Sequence, residues 1–294
     1  MALFQGTATA LITPFRNEKI DYPAMGRLVE WQLKQGIDAL VVCGTTGEAS
    51  TLSGKERVQL THFVVDLVKG RVPVIAGTGS NNTKFTAELS KEMESIGADG
   101  LLVVTPYYNK CTETGMIAHY EKIADFIEIP MILYSVKSRT GVNISPEAIR
   151  ILSQHPRIAG IKEASGDIGQ ICEMAAYISD NFSIYSGNDD MTVPVMSLGG
   201  LGCISTVSNM IPQRYSKMTH DYLEGRTADA CREQIALKPL IDAVFAEVNP
   251  IPLKAAMNMM GLCDLEYRLP LCPPSNKTQY LLYNALREYG LVEK

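Results

Sequence analysis

Asp99-Gly100-Leu101-Leu102-Val103-Val104-Thr105-Pro106 is a short apolar run, entered through a glycine and closed by a proline. It is too brief for a helix of ordinary length and rich in residues that suit a strand. It does not alternate polar with apolar, so both faces of that strand are covered, as in a parallel sheet. Seven other stretches have the same form. On its N-terminal side are TATALIT around Thr9, DALVVCG around Val41 and VPVIAG around Ile75. On its C-terminal side are PMILYS around Ile132, IAGIKEA around Lys162, FSIYSG around Ile184 and LGCISTVS around Ile204.

Helical patterns separate these runs. Asp21 opens one, with Met25, Leu28, Val29 and Leu33 on one face, ending before Gly36. Ser53 caps a second that runs to Gly70, a third spans 83–96, and Ser145 caps a fourth that begins at Pro146. Eight strands alternating with helices, repeating at roughly the βα spacing of thirty residues, predict an α/β fold of the (β/α)8 TIM-barrel kind. After Gly225 the strand signals stop, and 227–248, 250–261 and 275–289 read as helices. The expected organisation is a catalytic barrel over residues 1–224 and a C-terminal helical extension over 225–294.

Composition narrows the class. Apolar residues at 46% and charged residues at 20% describe a globular protein, and a net charge of −5 disfavours a nucleic-acid partner. The opening residues lack the basic and long apolar segments of a signal peptide. The uncharged stretch from Met191 to Gln213 is long enough for a membrane span. It is broken by Pro194, Gly199, Gly200, Gly202 and Pro212, so it reads as a buried helix and strand joined by a glycine turn. Seven cysteines with no C-x-x-C pair suggest free thiols in a reducing, cytoplasmic setting. His62, His119, His155 and His220 lie far apart, so no metal site is expected.

In a barrel of this kind the chemistry gathers at the C-terminal ends of the strands. Those ends hold Gly44-Thr45-Thr46-Gly47-Glu48, Thr105-Pro106-Tyr107-Tyr108-Asn109, Tyr134 with Ser138-Arg139-Thr140-Gly141, Lys162-Glu163, Gly187-Asn188-Asp189-Asp190, and Ser205-Thr206. Lys162 interrupts an apolar strand, where a lysine costs desolvation unless it has a task. Burial disfavours an ammonium, which leaves a nucleophilic amine for Schiff-base chemistry. The alternative is a structural lysine paired with a carboxylate such as Glu163, although neighbouring strand residues point to opposite faces. Tyr134 is either a proton shuttle or a rim-packing tyrosine. Thr45 and Thr46 either bind a carboxylate or cap the next helix. Arg139 either clamps a carboxylate or is a solvated surface arginine. Gly77-Thr78-Gly79 lacks the third glycine of a nucleotide fingerprint and reads as a turn.

Taken in order, GTTGE (44–48), TPYYN (105–109), SRTG (138–141) and GIKEASGD (160–167) resemble the dihydrodipicolinate synthase family, in the superfamily that includes N-acetylneuraminate lyase. The resemblance extends to NPIPLKAAMNMMG (249–261) and RLPLCPPS (268–275). It implies that Lys162 forms a Schiff base with pyruvate and that Tyr134 gives and takes protons. It further implies that Thr46 holds the pyruvate carboxylate, with the backbone at Gly187 and Ile204 lining the pocket. Thr45, Tyr134 and Tyr108 would form a proton relay, Tyr108 arriving from a neighbouring subunit of a homotetramer. Arg139 would bind the carboxylate of L-aspartate 4-semialdehyde in a route to diaminopimelate and lysine, with neither metal nor organic cofactor. One departure is visible: relatives usually read Tyr-Asn-Val-Pro-Ser-Arg-Thr-Gly, whereas this chain has Ser135 and Lys137 in place of the asparagine and proline. Losing the proline removes a fixed φ and predicts a looser loop around Arg139. The rival readings are a lyase for sugar acids, disfavoured by Arg139, and a silent barrel that senses 2-oxo acids, disfavoured by the intact Lys162, Tyr134 and Thr45.

Overall fold

The computed structural model describes residues 2–293. All eight apolar stretches are strands: β1 Gly6–Ala10, β2 Ala39–Val42, β3 Val74–Gly77, β4 Gly100–Val104, β5 Met131–Ser135, β6 Ile158–Glu163, β7 Ser183–Ser186 and β8 Gly202–Ser205. Every pairing is parallel, and the order β1-β8-β7-β6-β5-β4-β3-β2 closes on itself as a barrel. Closure requires β8 to run very near β1. A Cβ at Gly202 would stand 1.8 Å from the Gly6 carbonyl oxygen, and φ there is +142°, so only glycine fits.

Helices α1 Tyr22–Lys34, α2 Gly54–Val68, α3 Thr83–Ser95, α4 Glu113–Ala124, α5 Pro146–Leu152, α6 Ile168–Ala175, α7 Thr192–Ser197 and α8 Pro212–Leu223 follow the strands in turn. Their starts obey the capping chemistry read from the sequence. Asp21 accepts from the Ala24 amide, Ser53 and Glu56 form a capping box, and Ser145 accepts from the Ala148 amide ahead of Pro146. The uncharged stretch 191–213 contains α7, a turn at Gly199 with φ +94°, and β8. Among the described residues no helix is long and apolar enough to cross a membrane.

Small and branched side chains fill the barrel interior, among them Ala8, Val41, Ile75, Leu102, Ile132 and Ile204. Its floor is closed by Phe4, whose ring stacks on Tyr185 at 4.3 Å while the Tyr185 hydroxyl donates to the Phe4 carbonyl. Beyond the barrel lie α9 Thr227–Val244, α10 Ile251–Met259 and α11 Asn276–Glu288. The expected boundary at residue 224 falls between α8 and α9. The extension nonetheless shares one core with the barrel, in which Leu237, Leu253 and Leu286 pack with Ile12, Val193 and Cys203. The helix expected over 227–248 stops a turn early, at Val244. Asn249 precedes a proline, which disfavours helical backbone, and Val248 is left exposed.

Candidate active site

Register places the chemistry. Tyr134, Lys162 and Tyr185 are aligned across β5, β6 and β7, while Ser135, Glu163 and Ser186 form the next rung. Successive rungs face opposite ways. Lys162 is 5% exposed, and its Nζ lies 4.5 Å from the centre of the Tyr134 ring. Glu163 takes the other face, accepting from the Ser165 amide and from Gln170 Nε2, each at 3.1 Å. Burial pushes the Glu163 carboxyl above its ordinary range, and these hydrogen bonds oppose that. Lys162 is therefore not the partner of Glu163, and among the described residues it forms no ion pair.

Gly187 guards the space around the lysine. A Cβ there would come within 2.7 Å of the Ala164 Cβ and 3.1 Å of the Lys162 Cγ. Ile204 sits on β8 with its side chain in the barrel interior. The loop after β2 turns twice, with the Gly47 amide on the Gly44 carbonyl and the Glu48 amide on the Thr45 carbonyl, and Glu48 takes φ +54°. That winding leaves Thr45 half-buried at a cavity of about 720 Å³ and turns Thr46 inward. Thr46 Oγ1 lies 3.4 Å from Thr206 Oγ1 and accepts from Asn249 Nδ2 at 3.0 Å.

Thr45, Tyr134, Arg139, Tyr107 and Tyr108 all line the cavity. Arg139 rides on a single helical turn, Lys137–Thr140, closed by Gly141 with φ +70°. The Thr140 hydroxyl lies 2.9 Å from the Val142 carbonyl, to which it donates, with the Val136 carbonyl at 3.2 Å as the alternative acceptor, and Arg139 Nη2 donates to the Asn249 carbonyl at 3.1 Å. The loop in which a proline is lost is wound as a helical turn. Lys137 is the first residue of that turn, a position at which lysine and proline both fit. Gly77-Thr78-Gly79 is the end of β3 and its turn; a Cβ at Gly79 would meet the Val104 amide at 2.4 Å. Tyr108 behaves differently from the rest. It has φ +71°, it is 90% exposed, and it makes no hydrogen bond to Thr45 or Tyr134 among the described residues.

Asp189 closes the electrostatic frame. It is buried, accepts from Ser205 Oγ at 2.5 Å and from the Thr206 amide at 3.0 Å, and so fixes the end of β8 where Thr206 meets Thr46. Burial pushes its carboxyl up, opposed by those hydrogen bonds and by the charge of Lys162. The arrangement places an amine and a phenol side by side, with hydroxyls and a guanidinium round the cavity above them. Such a set can capture a carbonyl covalently and move protons about it.

The family model of the dihydrodipicolinate synthetase family matches residues 3–289. The chain belongs to that family. A 4-hydroxy-tetrahydrodipicolinate synthase of Thermoanaerobacter sp. (strain X514) is 49% identical over 295 residues, covering 100% of this chain and 99% of its own. One of Clostridium acetobutylicum, named 4-hydroxy-tetrahydrodipicolinate synthase 1, is 48% identical over 293 residues and covers all of both chains. The crystal structure of dihydrodipicolinate synthase from Thermotoga maritima superposes with a TM-score of 0.97 at 43% identity, covering 99% of this chain and 100% of that one.

Three features of this member of the dihydrodipicolinate synthetase family were not singled out by sequence reasoning. Lys254 Nζ meets Glu48 Oε1 at 2.5 Å with both side chains wholly buried, and the ammonium lies 4.2 Å from the centre of the Phe15 ring. Asn249 touches Thr46 and Arg139 at once, and Asp189 anchors Thr206. The signal for Lys254 was present, because it interrupts the apolar IPLKAAM just as Lys162 interrupts its strand. Asp189 carries only the signal of its place at a strand end, and Asn249 carries none, since short polar residues in loops are ordinary.

Proposed function

We propose that this member of the dihydrodipicolinate synthetase family condenses pyruvate with L-aspartate 4-semialdehyde through a Schiff base on Lys162, giving 4-hydroxy-tetrahydrodipicolinate for diaminopimelate and lysine synthesis. The observation that carries the residue assignment is the Lys162 amine, buried beside the Tyr134 phenol and held by no carboxylate. The amine adds to the pyruvate carbonyl, water leaves, and the iminium makes the methyl group acidic. Loss of a methyl proton gives an enamine, whose carbon attacks the aldehyde. Tyr134 supplies the proton taken up by the resulting alkoxide, with Thr45 passing protons onward. The substrate's own amine then attacks the iminium carbon, the ring closes, and Lys162 is released.

Thr46 holds the pyruvate carboxylate, and Gly187 and Ile204 shape its pocket. Arg139, with one N–H committed to the Asn249 carbonyl, keeps the rest of its fork for the second carboxylate. A lyase for sugar acids has less use for that guanidinium. No metal or organic cofactor enters this scheme. Seven free thiols support residence in the reducing cytoplasm.

Borohydride reduction in the presence of pyruvate is expected to add one pyruvyl unit to the peptide carrying Lys162, read by mass spectrometry. Turnover in coupled assays is expected with aspartate semialdehyde and not with sugar aldehydes. Labelling at another residue, or none, defeats the Schiff-base assignment; preference for a sugar aldehyde moves the chain to the rival lyase reading.

The assembly proposed is a homotetramer of two tight dimers, with Tyr108 completing the relay of a neighbouring copy. An aromatic side chain 90% exposed on left-handed backbone supports this, because solvent alone gives no return for the strain. Mixed Lys162→Ala and Tyr108→Phe protomers are then expected to regain activity as subunits exchange. Exchange confirmed by mass spectrometry without recovery places Tyr108 outside the neighbour's site.

A further inference from the structure

Asn249 and Lys254 stand at the two ends of a six-residue stretch that begins α10, and both contact the loop after β2. Asn249 Nδ2 donates to Thr46 Oγ1 at 3.0 Å, while its backbone carbonyl accepts from Arg139. Lys254 pairs with Glu48, two residues beyond Thr46 in the same loop. The extension therefore grips the Thr45–Thr46 loop at two points and the guanidinium at a third.

The direction of the Asn249 bond has a chemical consequence. A hydroxyl has one proton to give and two lone pairs to receive. With an amide N–H already occupying one lone pair, Thr46 is left with its proton to donate. Thr206 Oγ1, at 3.4 Å, is a long and weak acceptor for it, and a carboxylate is a far stronger one. Resting on the reading of Thr46 as the holder of the substrate carboxylate, we infer that Asn249 is a positioning residue. It sets the Thr46 hydroxyl as a donor to the carboxylate of the 2-oxo acid, and the Glu48–Lys254 pair pins the loop on which that hydroxyl rides.

Stability is a poor account of the same atoms. Asn249 Oδ1 and Glu48 Oε2 are buried with no hydrogen-bond partner among the described residues. Unpaired buried acceptors weaken a fold, and buried ion pairs add little to one. What both residues supply is a fixed location and a fixed hydrogen-bond polarity beside the site.

Two substitutions separate polarity from packing. Asn249→Ala removes the donor. Asn249→Asp keeps the shape but offers only acceptors when ionised, so the Thr46 proton turns toward the new carboxylate and away from substrate. The KM for pyruvate is expected to rise about tenfold in N249A, the worth of one good hydrogen bond. It is expected to rise further in N249D, although aspartate is the closer mimic. In both, kcat changes far less, and the KM for the semialdehyde moves little because the Arg139 contact is to backbone. Thr46→Val completes a cycle: if Asn249 acts through Thr46, N249A adds almost nothing in the T46V background.

Equal KM changes in N249A and N249D, or full additivity with T46V, overturn the proposal. Should N249D fail to fold, the cycle of N249A with T46V decides alone. An unchanged pyruvate KM in T46V instead removes the carboxylate role of Thr46. The borohydride adduct of the wild-type protein tests the Schiff base independently of both.

Discussion

Tyr134→Phe is expected to lower kcat by about 10²–10⁴-fold, the usual worth of a positioned acid–base group, and to leave the fold unchanged. The ring is held in the barrel interior next to Lys162, and phenylalanine preserves all of that packing. Only the hydroxyl is lost, and with it the group proposed to hand protons to the carbinolamine and the alkoxide. Circular dichroism and thermal melting should therefore match the wild type while turnover collapses. Trapping of pyruvate on Lys162 should slow as well, since loss of water from the carbinolamine needs a proton donor. A variant that keeps more than about half of the kcat assigns the proton to another group.

Lys254→Met is expected to destabilise the protein by about 3–5 kcal/mol at neutral pH, because it leaves the Glu48 charge buried without its partner. Methionine matches the length of lysine, so loss of packing contributes little. In the native protein burial pushes the Glu48 carboxyl up and the Lys254 ammonium down, and their mutual attraction opposes both shifts. Without the ammonium the upward push of burial on Glu48 is opposed only by the backbone and charge of Arg268. A carboxyl whose folded pKa is raised favours folding at low pH and loses that contribution as pH rises, so the deficit should shrink on acidification. Adding Glu48→Gln should recover much of the loss at pH 7, since no buried charge then remains. Urea denaturation of the two single variants and the double measures this directly. A single variant within about 1 kcal/mol of wild type, or a double no better than K254M, shows that the pair is not buried in the folded state as described.

How far the sequence could be read follows from what each residue needs. The eight strands were legible because a parallel barrel strand is covered on both faces and must be apolar along its length, as in Leu101–Val104. Helix starts were legible where a side chain has to satisfy free amides, as at Asp21, Ser53 and Ser145. Lys162 stood out for the opposite reason, a charged group in an apolar strand. The contacts that steady the site were less visible, because they join residues far apart in the chain. Asn249 and Thr46 are 203 positions apart, and nothing local to either foretells the other. The helical turn around Arg139 was not legible either: a loop that has lost a proline reads as irregular, whereas here the lysine starts a turn with its own hydrogen bonds.

The span of these contacts also sets an order of events while the chain is being made. A ribosome delivers residues from the N-terminus, so all eight strands are complete at Ser205, before Asn249 or Lys254 exists. A nascent chain at that stage has the amine, the phenol and the threonines. It lacks the ammonium that pairs with Glu48 and the amide that donates to Thr46. The unfinished barrel thus leaves the Glu48 carboxyl without its cation and Thr46 without the amide N–H it accepts. The proposed nucleophile Lys162 is thus synthesised, on β6, well before the final quarter of the polypeptide brings Asn249 and Lys254 to the loop after β2.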